Sequence, residues 1–194
     1  VSVVVDASLG AHLPLISLRK FYRYAILQLN YQNQLKTKGS VMKTLESILA
    51  NHPFFANLKA EYLALVTGCA SNVRFEAGQF IHRQDEEADS FYIIREGKVA
   101  LEICPPGKKA ITVQTVSDGE ILGWAWLVPP YHWQFDAQAV ELTRAIVLDG
   151  KCLRNKCGED HTLGYELLSR LLPIIGQTME ATRLQLLDIY GVQR

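Results

Sequence analysis

The sequence predicts a mainly β protein with flanking helices, in which a double-stranded β-helix (jelly roll) precedes a long C-terminal dimerisation helix. Three observations predict this architecture. Apolar residues recur at helical spacing from 42 to 70, short segments rich in Val, Ile, Phe and Tyr fill 73–148, and helical periodicity returns from Asp149 onward. Helical spacing and short segments bounded by turn residues are the patterns that distinguish helices from strands.

Residues 1–41 differ in charge from the rest of the 194-residue chain. They hold five basic residues and one acidic residue, Asp6, which leaves 15 basic and 19 acidic residues for 42–194. A charge difference of this kind indicates a boundary. The first methionine is Met42, and Lys-Thr-Leu-Glu follows it, as at a natural start. We therefore expect 1–41 to be an extension that is not native or is poorly ordered, followed by a jelly-roll domain with N-terminal helices at 42–150 and C-terminal helices at 151–194.

The overall charge argues against nucleic acid as a direct partner. The 20 Lys and Arg residues balance the 20 Asp and Glu residues, so the chain lacks the basic surface that binds phosphate backbones. The apolar stretch 13–29 is interrupted by Arg19, Lys20 and Arg23, and it is too short and too charged to span a membrane. We expect a cytoplasmic protein with no membrane partner.

The elements follow in order along the chain. The helical spacing of 42–70 is interrupted at Asn51-His52-Pro53, so the N-terminal part is helical with one break. Turn pairs such as Ala77-Gly78, Glu96-Gly97 and Asp118-Gly119 separate the segments that come next. Strands at this spacing are typical of a sandwich or barrel. The predicted strands are 74–76, 80–83, 91–95, 99–104, 111–116, 135–140 and 144–148.

The run from about His161 to Tyr190 predicts the longest helix. Its apolar positions are spaced 4, 3, 4, 3, 4, 3, which is an uninterrupted a/d seam that packs against a partner helix. We expect a homodimer through this seam. Pro173 removes one backbone hydrogen bond at a cost of roughly 3 kcal/mol, so we expect a kink near 169–173. The seam consists of Leu168, Leu172, Ile175, Met179, Thr182, Leu186 and Ile189.

A second apolar stripe on the same helix is available to pack against the chain's own barrel. The alternative is that both stripes belong to one intramolecular core. The second stripe consists of Leu167, Leu171, Ile174, Leu184 and Leu187.

Cysteine and histidine spacing argues against a metal site or an enzyme. Cys69, Cys104, Cys152 and Cys157 form no close CxxC pair, so we expect reduced, packed thiols. The five histidines are isolated, whereas a cupin-type enzyme needs clustered imidazoles to hold a metal. A P-loop, a nucleophile elbow and an HExxH motif are also missing from the sequence. We expect no catalytic residue and no metal, and a cupin-like enzyme is the weaker alternative.

The stretch 73–99 carries a family resemblance. Ala77-Gly78 precedes one strand, Ala88-Asp89 precedes Phe91-Tyr92-Ile93-Ile94, and Gly97 precedes Val99. This pattern resembles the cyclic-nucleotide-binding domain of the catabolite activator protein (Crp/Fnr) family, over about 42–190. The resemblance implies a jelly roll whose glycines turn the chain between strands, where a positive φ disfavours other residues. It also implies a regulatory function.

In that family a phosphate-binding cassette holds the ligand, with a glutamate on the ribose and an arginine on the cyclic phosphate. Gly119-Glu120 matches an earlier turn of the pattern, so the resemblance places Gly123 at the cassette glycine and Trp124 at the glutamate. The position of the arginine falls on Trp133 or Gln134. We therefore expect no cyclic AMP binding of the usual kind. The predicted pocket consists of Gly123, Trp124, Ala125, Trp126, His132, Trp133, Gln134 and Phe135.

Two alternatives remain for the aromatic residues of this cassette. They fill the pocket themselves, or they line a site for a different ligand, either a non-canonical nucleotide or a small apolar or aromatic molecule. No cofactor is predicted with certainty. The sequence thus predicts a dimeric regulatory or sensor module that acts through a partner protein and has no DNA-binding domain of its own. The alternative is a ligand-binding fragment of a transcription regulator whose helix-turn-helix lies outside this sequence.

Overall fold

The computed structural model describes residues 44–105 and 107–191, with side chains as far as residue 185. The expectations for 1–41 lie outside the described residues. The helical N-terminal part consists of α1 (Leu45–Ala50), a 3₁₀ turn (Pro53–Phe55) and α2 (Ala60–Thr67). The predicted break is confirmed, because α1 ends at Ala50 and Pro53 begins the 3₁₀ turn. Proline is tolerated there because the first N–H groups of a helical turn have no partner within it.

Eight antiparallel strands form two four-stranded sheets, with strand orders β1-β8-β3-β6 and β2-β7-β4-β5. The predicted mainly β class is confirmed. All seven predicted segments are strands, and the eighth strand, β6, has only two residues, too few to produce a pattern in the sequence. The strands are β1 (Ala70–Phe75), β2 (Phe80–His82), β3 (Ser90–Glu96), β4 (Val99–Ile103), β5 (Ile111–Val116), β6 (Ile121–Leu122), β7 (Asp136–Ala139) and β8 (Thr143–Asp149).

Strand β3 contributes to two hydrophobic cores because successive side chains of a strand point to opposite faces. Tyr92 and Ile94 lie in the core between the two sheets, whereas Phe91 and Ile93 lie in the core between the first sheet and the helices. Burying a side chain of this size stabilises the fold by about 1.5 to 3 kcal/mol. A strand buried on both faces fixes the sheets and the helices relative to each other.

Two helices follow the last strand. Asp149 caps α3 (Gly150–Glu159) by accepting a hydrogen bond from the Cys152 N–H at 2.8 Å. Asp160 then accepts from the Thr162 N–H at 2.8 Å at the start of α4 (His161–Gly191), which continues as a helix through Pro173. The structure does not test the predicted kink. Side-chain oxygens at these N-terminal positions satisfy N–H groups that have no partner within the helix.

The second apolar stripe of α4, here called the inner stripe because it packs against the barrel, is shorter than the sequence predicts. Leu163, Leu167 and Leu171 are fully buried against the barrel, and Ile174 is half-buried. Leu184, however, is 58% exposed, so the expectation that it packs on the barrel is wrong. The helix has passed beyond the barrel at that point. The side chain of Leu187 lies outside the described residues.

Two cysteines correct another expectation. Cys69 and Cys152 form a disulfide, with their Cα atoms 5.9 Å apart, so the prediction of four reduced thiols is wrong for this pair. The bond links the junction of α2 and β1 to α3. Cys104 and Cys157 are free. Disulfides persist mainly in oxidising compartments, so this bond gives no support to the expected cytoplasmic location.

The described residues contain neither a membrane-spanning helix nor a metal-binding cluster of side chains. None of the helices within 44–191 is both long enough and apolar enough to cross a membrane. Over the same residues, His, Cys, Asp and Glu side chains form no cluster that could hold a metal ion.

Candidate ligand-binding site

The segment between β5 and β7 closes one end of the space between the sheets. It comprises the turn at Gly119, strand β6, Gly123, a 3₁₀ turn at Ala125–Leu127 and the cis peptide Pro129-Pro130. Gly123 has φ +91°, and a Cβ placed there would lie 2.6 Å from Cη2 of Trp133. The residue must therefore be glycine for two reasons, its left-handed backbone and the close approach of the indole.

A cavity of about 110 Å³ opens next to this segment. Both sheets, the segment around Gly123 and helix α4 supply its walls. Among the described residues that line it, none is an Asp, Glu, Lys or Arg, and the polar side chains are neutral amides, a hydroxyl and an imidazole. The lining consists of His82, Leu101, Gln114, Val116, Ile121, Leu122, Gly123, Trp124, Ala125, Trp133, Gln134, Phe135, Leu171, Ile174 and Thr178.

Trp133 and His82 form a stacked pair in the wall of the cavity. Their ring centroids are 3.8 Å apart and their planes differ by 8°. Both side chains are buried, and neither ring nitrogen of His82 makes a hydrogen bond of good geometry with a described residue. Burial lowers the pKa of His82 from 6.5 to about 4, and the Phe135 backbone and the Asp136 carboxylate only partly oppose this effect. The imidazole is therefore neutral at pH 7.

The arginines near this segment bind carboxylates outside the cavity. Arg83 donates to Asp136 at 3.1 Å. Arg154 on α3 donates to Asp89 at 2.9 Å and to the carbonyl oxygen of Trp126 at 2.6 Å, and its guanidinium lies 4.5 Å from the centre of the Tyr131 ring. Neither guanidinium lines the cavity.

Known proteins are similar to this chain in sequence and in fold. A family model described as a cyclic nucleotide-binding domain matches residues 72–160. These residues are therefore similar in sequence to cyclic nucleotide-binding domains. The chain is 27% identical, over 146 residues, to a protein of Rhodopseudomonas palustris named as a potassium channel; the match covers 75% of this chain and 34% of that protein. The chain thus spans about a third of the length of this curated relative.

Two solved structures are similar in fold to the described part of this chain. A cyclic nucleotide-binding protein from Geobacter metallireducens superposes with a TM-score of 0.64 and 26% identity, over 71% of this chain and 99% of that one. The catabolite activator protein of Thermus thermophilus superposes with a TM-score of 0.57 and 21% identity, over 72% and 63% of the two chains. By their names, these proteins are binding and regulatory proteins rather than enzymes. The part of this chain that the structure describes contains no helix-turn-helix.

The structure brings six of the eight predicted pocket residues to the cavity of this domain, namely Gly123, Trp124, Ala125, Trp133, Gln134 and Phe135. Trp126 points the other way and lies fully buried in the core beneath the helices, 5.9 Å from Phe91 between ring centroids. His132 is exposed, and its Nδ1 lies 2.8 Å from the carbonyl oxygen of Pro130. These two side chains therefore belong to the core and to the surface rather than to the cavity.

Glu120 lies outside the cavity lining. Its carboxylate accepts a hydrogen bond from the Ser117 N–H at 2.7 Å and stabilises the turn before β6. Gly119 and Glu120 therefore belong to a turn outside the cavity lining.

Sequence reasoning missed His82 and the contribution of α4 to the cavity. A lone histidine at the end of a short strand gives no sequence signal that its ring faces a cavity. Leu171 and Ile174 belong to the predicted inner stripe of α4, which gave the only available signal. The same face of the helix also supplies Thr178.

Of the predicted seam on α4, Leu168, Leu172, Met179 and Thr182 are exposed, and Ile175 is half-buried. The side chains of Leu186 and Ile189 lie outside the described residues.

Proposed function

We propose that this domain is a regulatory module that forms a homodimer through α4 and does not bind cyclic AMP or cyclic GMP in the usual manner. The observation that carries the proposal is the chemistry of the cavity, whose described lining includes no charged side chain. A cyclic phosphate buried there would have no cationic partner. An unpaired buried charge costs several kcal/mol even after the protein relaxes.

The aromatic side chains support the same conclusion on steric grounds. Trp133 is buried at one of the two positions where the family resemblance expects the arginine, and it is held between Gly123 and His82. The remaining space of about 110 Å³ is below the roughly 300 to 1,000 Å³ of pockets that enclose drug-sized ligands. A ribose and a phosphate would have to displace the indole.

The outer face of α4 supports a dimer. Leu172 is 57% exposed and Met179 is 53% exposed, and they lie about two helical turns apart along the predicted seam. A parallel pair of helices buries the apolar residues at its a and d positions. The chain's own barrel leaves these two residues uncovered. The inner face of the same helix lines the cavity, so a change in the cavity would act directly on the dimer helix.

Titration calorimetry of the unaltered protein with cyclic AMP and cyclic GMP tests the ligand part of the proposal. We expect no saturable heat at concentrations that saturate ordinary members of the family. The double change Trp124→Glu and Gln134→Arg should restore at most weak affinity, because Trp133 and Phe135 still occupy the space. Micromolar binding to the unaltered protein would overturn this part.

Sedimentation tests the dimer part. The wild type should sediment as a dimer at micromolar concentration, and Leu172→Glu together with Met179→Glu should give a monomer, because like charges would then face each other across a two-fold axis. Leu184→Glu is the matched control, since Leu184 is equally exposed but lies off the predicted seam. This control should remain dimeric. A monomeric wild type would contradict the proposal.

A further inference from the structure

The cavity of about 110 Å³ differs in polarity between its buried and its exposed lining. The two lining side chains that are exposed are both glutamines, Gln114 and Gln134, whose neutral amides can bond to water. The buried lining side chains are apolar except for His82, and the apolar ones are Val116, Leu122, Ala125, Trp133 and Leu171. The buried part of the cavity is therefore apolar, whereas its exposed part is polar but uncharged.

The polar side chains of the lining have few atoms to offer to a bound molecule. Both ring nitrogens of His82 are covered by protein atoms, and the ring lies against the indole of Trp133. The Thr178 hydroxyl donates to the carbonyl oxygen of Ile174 at 3.0 Å, within its own helix. A molecule in the buried part of the cavity therefore meets mainly carbon atoms.

We propose that this cavity binds a small, uncharged, hydrocarbon-like molecule with a single ring, held by the burial of apolar surface rather than by hydrogen bonds. The inference rests on the proposed function, in which the cavity does not hold a cyclic nucleotide. The volume of about 110 Å³ is of the same order as the roughly 150 Å³ of an apolar cavity that stays dry and binds benzene. Side chains that border a void lack contacts on one side, and a molecule of matching size restores those contacts.

Charge and shape of the lining select this class of molecule. The described lining has no charged side chain to pair with an anion or a cation, so a charged molecule would pay an uncompensated desolvation cost. Trp124, Trp133 and Phe135 border the same space, and aromatic side chains favour edge or offset contacts with another ring. An uncharged single ring satisfies both conditions.

Toluene, phenol and benzoate are the probes for this site, because each is a single ring and they differ in polarity and charge. Calorimetric titration of the unaltered protein should show saturable binding of toluene. Phenol should bind about tenfold more weakly, because its hydroxyl loses hydration on entering an apolar space. Benzoate should bind more weakly still. If toluene does not bind, or if phenol or benzoate binds as tightly as toluene, the inference is wrong.

Two substitutions of Ile174 test whether toluene binds in this cavity. Ile174 is half-buried in the wall that α4 supplies. Ile174→Phe adds volume to the space and should weaken toluene binding about tenfold or more. Ile174→Ala enlarges the space, so it should keep toluene binding and bind naphthalene more tightly than the unaltered protein does. Leu184→Phe is the matched control, because Leu184 is exposed on the same helix and lies outside the lining, and it should bind toluene as the unaltered protein does. Unchanged toluene binding in Ile174→Phe would overturn the inference.

A second measurement uses the unaltered protein and does not depend on a variant being folded. The three indole resonances report on the site separately, because Trp124 and Trp133 line the cavity and Trp126 lies in the core beneath the helices. Toluene should shift the resonances of Trp124 and Trp133 and leave that of Trp126 in place. A shift at Trp126 alone, or at none of the three, contradicts the inference. The inference fails on toluene binding, whereas the proposed function fails on cyclic nucleotide binding or on a monomeric wild type, so the two failures are distinguishable.

Discussion

At the scale of single residues, Gly123 shows how one position connects the backbone to the cavity wall. Its φ of +91° is a conformation that costs other residues roughly 1 to 2 kcal/mol, and its missing Cβ leaves room for the indole of Trp133. A side chain at this point would displace the indole of Trp133 from its place in the cavity wall. Gly123 therefore allows the neutral indole of Trp133 to lie in the cavity wall.

Gly123→Ala should destabilise the domain more than Gly78→Ala does. Both glycines have positive φ, at +91° and +81°, but a Cβ at Gly78 has no atom within 4 Å, whereas one at Gly123 lies 2.6 Å from Trp133. We expect a loss of about 1 kcal/mol at Gly78 from backbone strain and about 3 kcal/mol at Gly123 from strain and overpacking. Urea unfolding of the two variants measures the difference. Equal losses would show that Trp133 can move without cost.

His52 is a buried imidazole whose two ring nitrogens each make a hydrogen bond that suits the neutral form of the ring. Nδ1 accepts from the Phe54 N–H at 3.2 Å, and Nε2 lies 3.1 Å from the carbonyl oxygen of Gly119 and therefore donates to it. Burial lowers the pKa of His52 from 6.5 to about 4, and the Gly119 hydrogen bond only partly opposes this. Protonation would place a hydrogen on Nδ1, directly against the Phe54 N–H.

The free energy of unfolding should therefore fall as the pH is lowered from about 6.5 to about 4. In that window the unfolded chain binds a proton at His52 that the folded chain excludes, so stability is complete above pH 6.5 and is lost toward pH 4. The shift from 6.5 to about 4 corresponds to a loss of about 3 kcal/mol for this residue. Urea unfolding at several pH values measures it, and His52→Gln should reduce the slope. The exposed His132→Gln serves as the control and should leave the slope unchanged.

At the scale of elements, the parts with a repeating pattern could be predicted and the parts that depend on distant contacts could not. Alternating apolar segments between glycine turns gave seven of the eight strands, whereas β6 is too short to have a period. The Cys69–Cys152 pair was missed because its members are 83 residues apart and no local spacing connects them. Leu184 was misplaced because helical periodicity does not indicate where the barrel ends.

The same limit applies to the candidate site. The order of residues from Gly123 to Phe135 located most of one wall, because the family pattern is local there. The opposite wall depends on which side chains of β2 and α4 the fold brings to the cavity, and this is decided by tertiary packing. Trp126 could not be told apart from Trp124 by sequence. Trp126 is fully buried in the core beneath the helices, whereas Trp124 packs against that core only in part and also lines the cavity.

The disulfide should stabilise the helical side of the domain. A crosslink across 83 residues restricts the unfolded chain, and loops of this length contribute about 4 kcal/mol. Cys152→Ser, or reduction of the wild type, should lower the melting temperature by roughly 10 °C in a domain of this size. Cys104→Ser is the control, because Cys104 is free and exposed, and it should leave the melting temperature unchanged. Equal melting temperatures for oxidised and reduced protein would contradict this expectation.

At the scale of the whole molecule, α4 lines the cavity with one face, and an adjacent face carries the proposed dimer seam. Leu171, Ile174 and Thr178 line the cavity, and Leu172 and Met179 are exposed on the outer face. Helix α3 precedes α4 and contacts the segment between β5 and β7, because Arg154 donates to the carbonyl oxygen of Trp126; it also donates to the carboxylate of Asp89. The fold thus provides a continuous path of contacts from the segment around Gly123 to the surface of α4.

Residues 1–41, which differ in charge from the rest of the chain, should be dispensable for the stability of the described domain. Helix α1 has an N-terminal cap within the described residues, because the Thr44 side chain accepts from the Ser47 N–H at 3.2 Å. Leu49, one turn later, is fully buried in the core beneath the helices. A chain that begins at Met42 should therefore keep the melting temperature of the 194-residue chain within a few degrees, as measured by circular dichroism.

A chain that begins at Leu49 is the control, since it loses the cap and most of α1, and it should melt well below the other two. If the chain from Met42 melts as low as this control, residues 1–41 contribute to the stability of the domain and are not a dispensable extension.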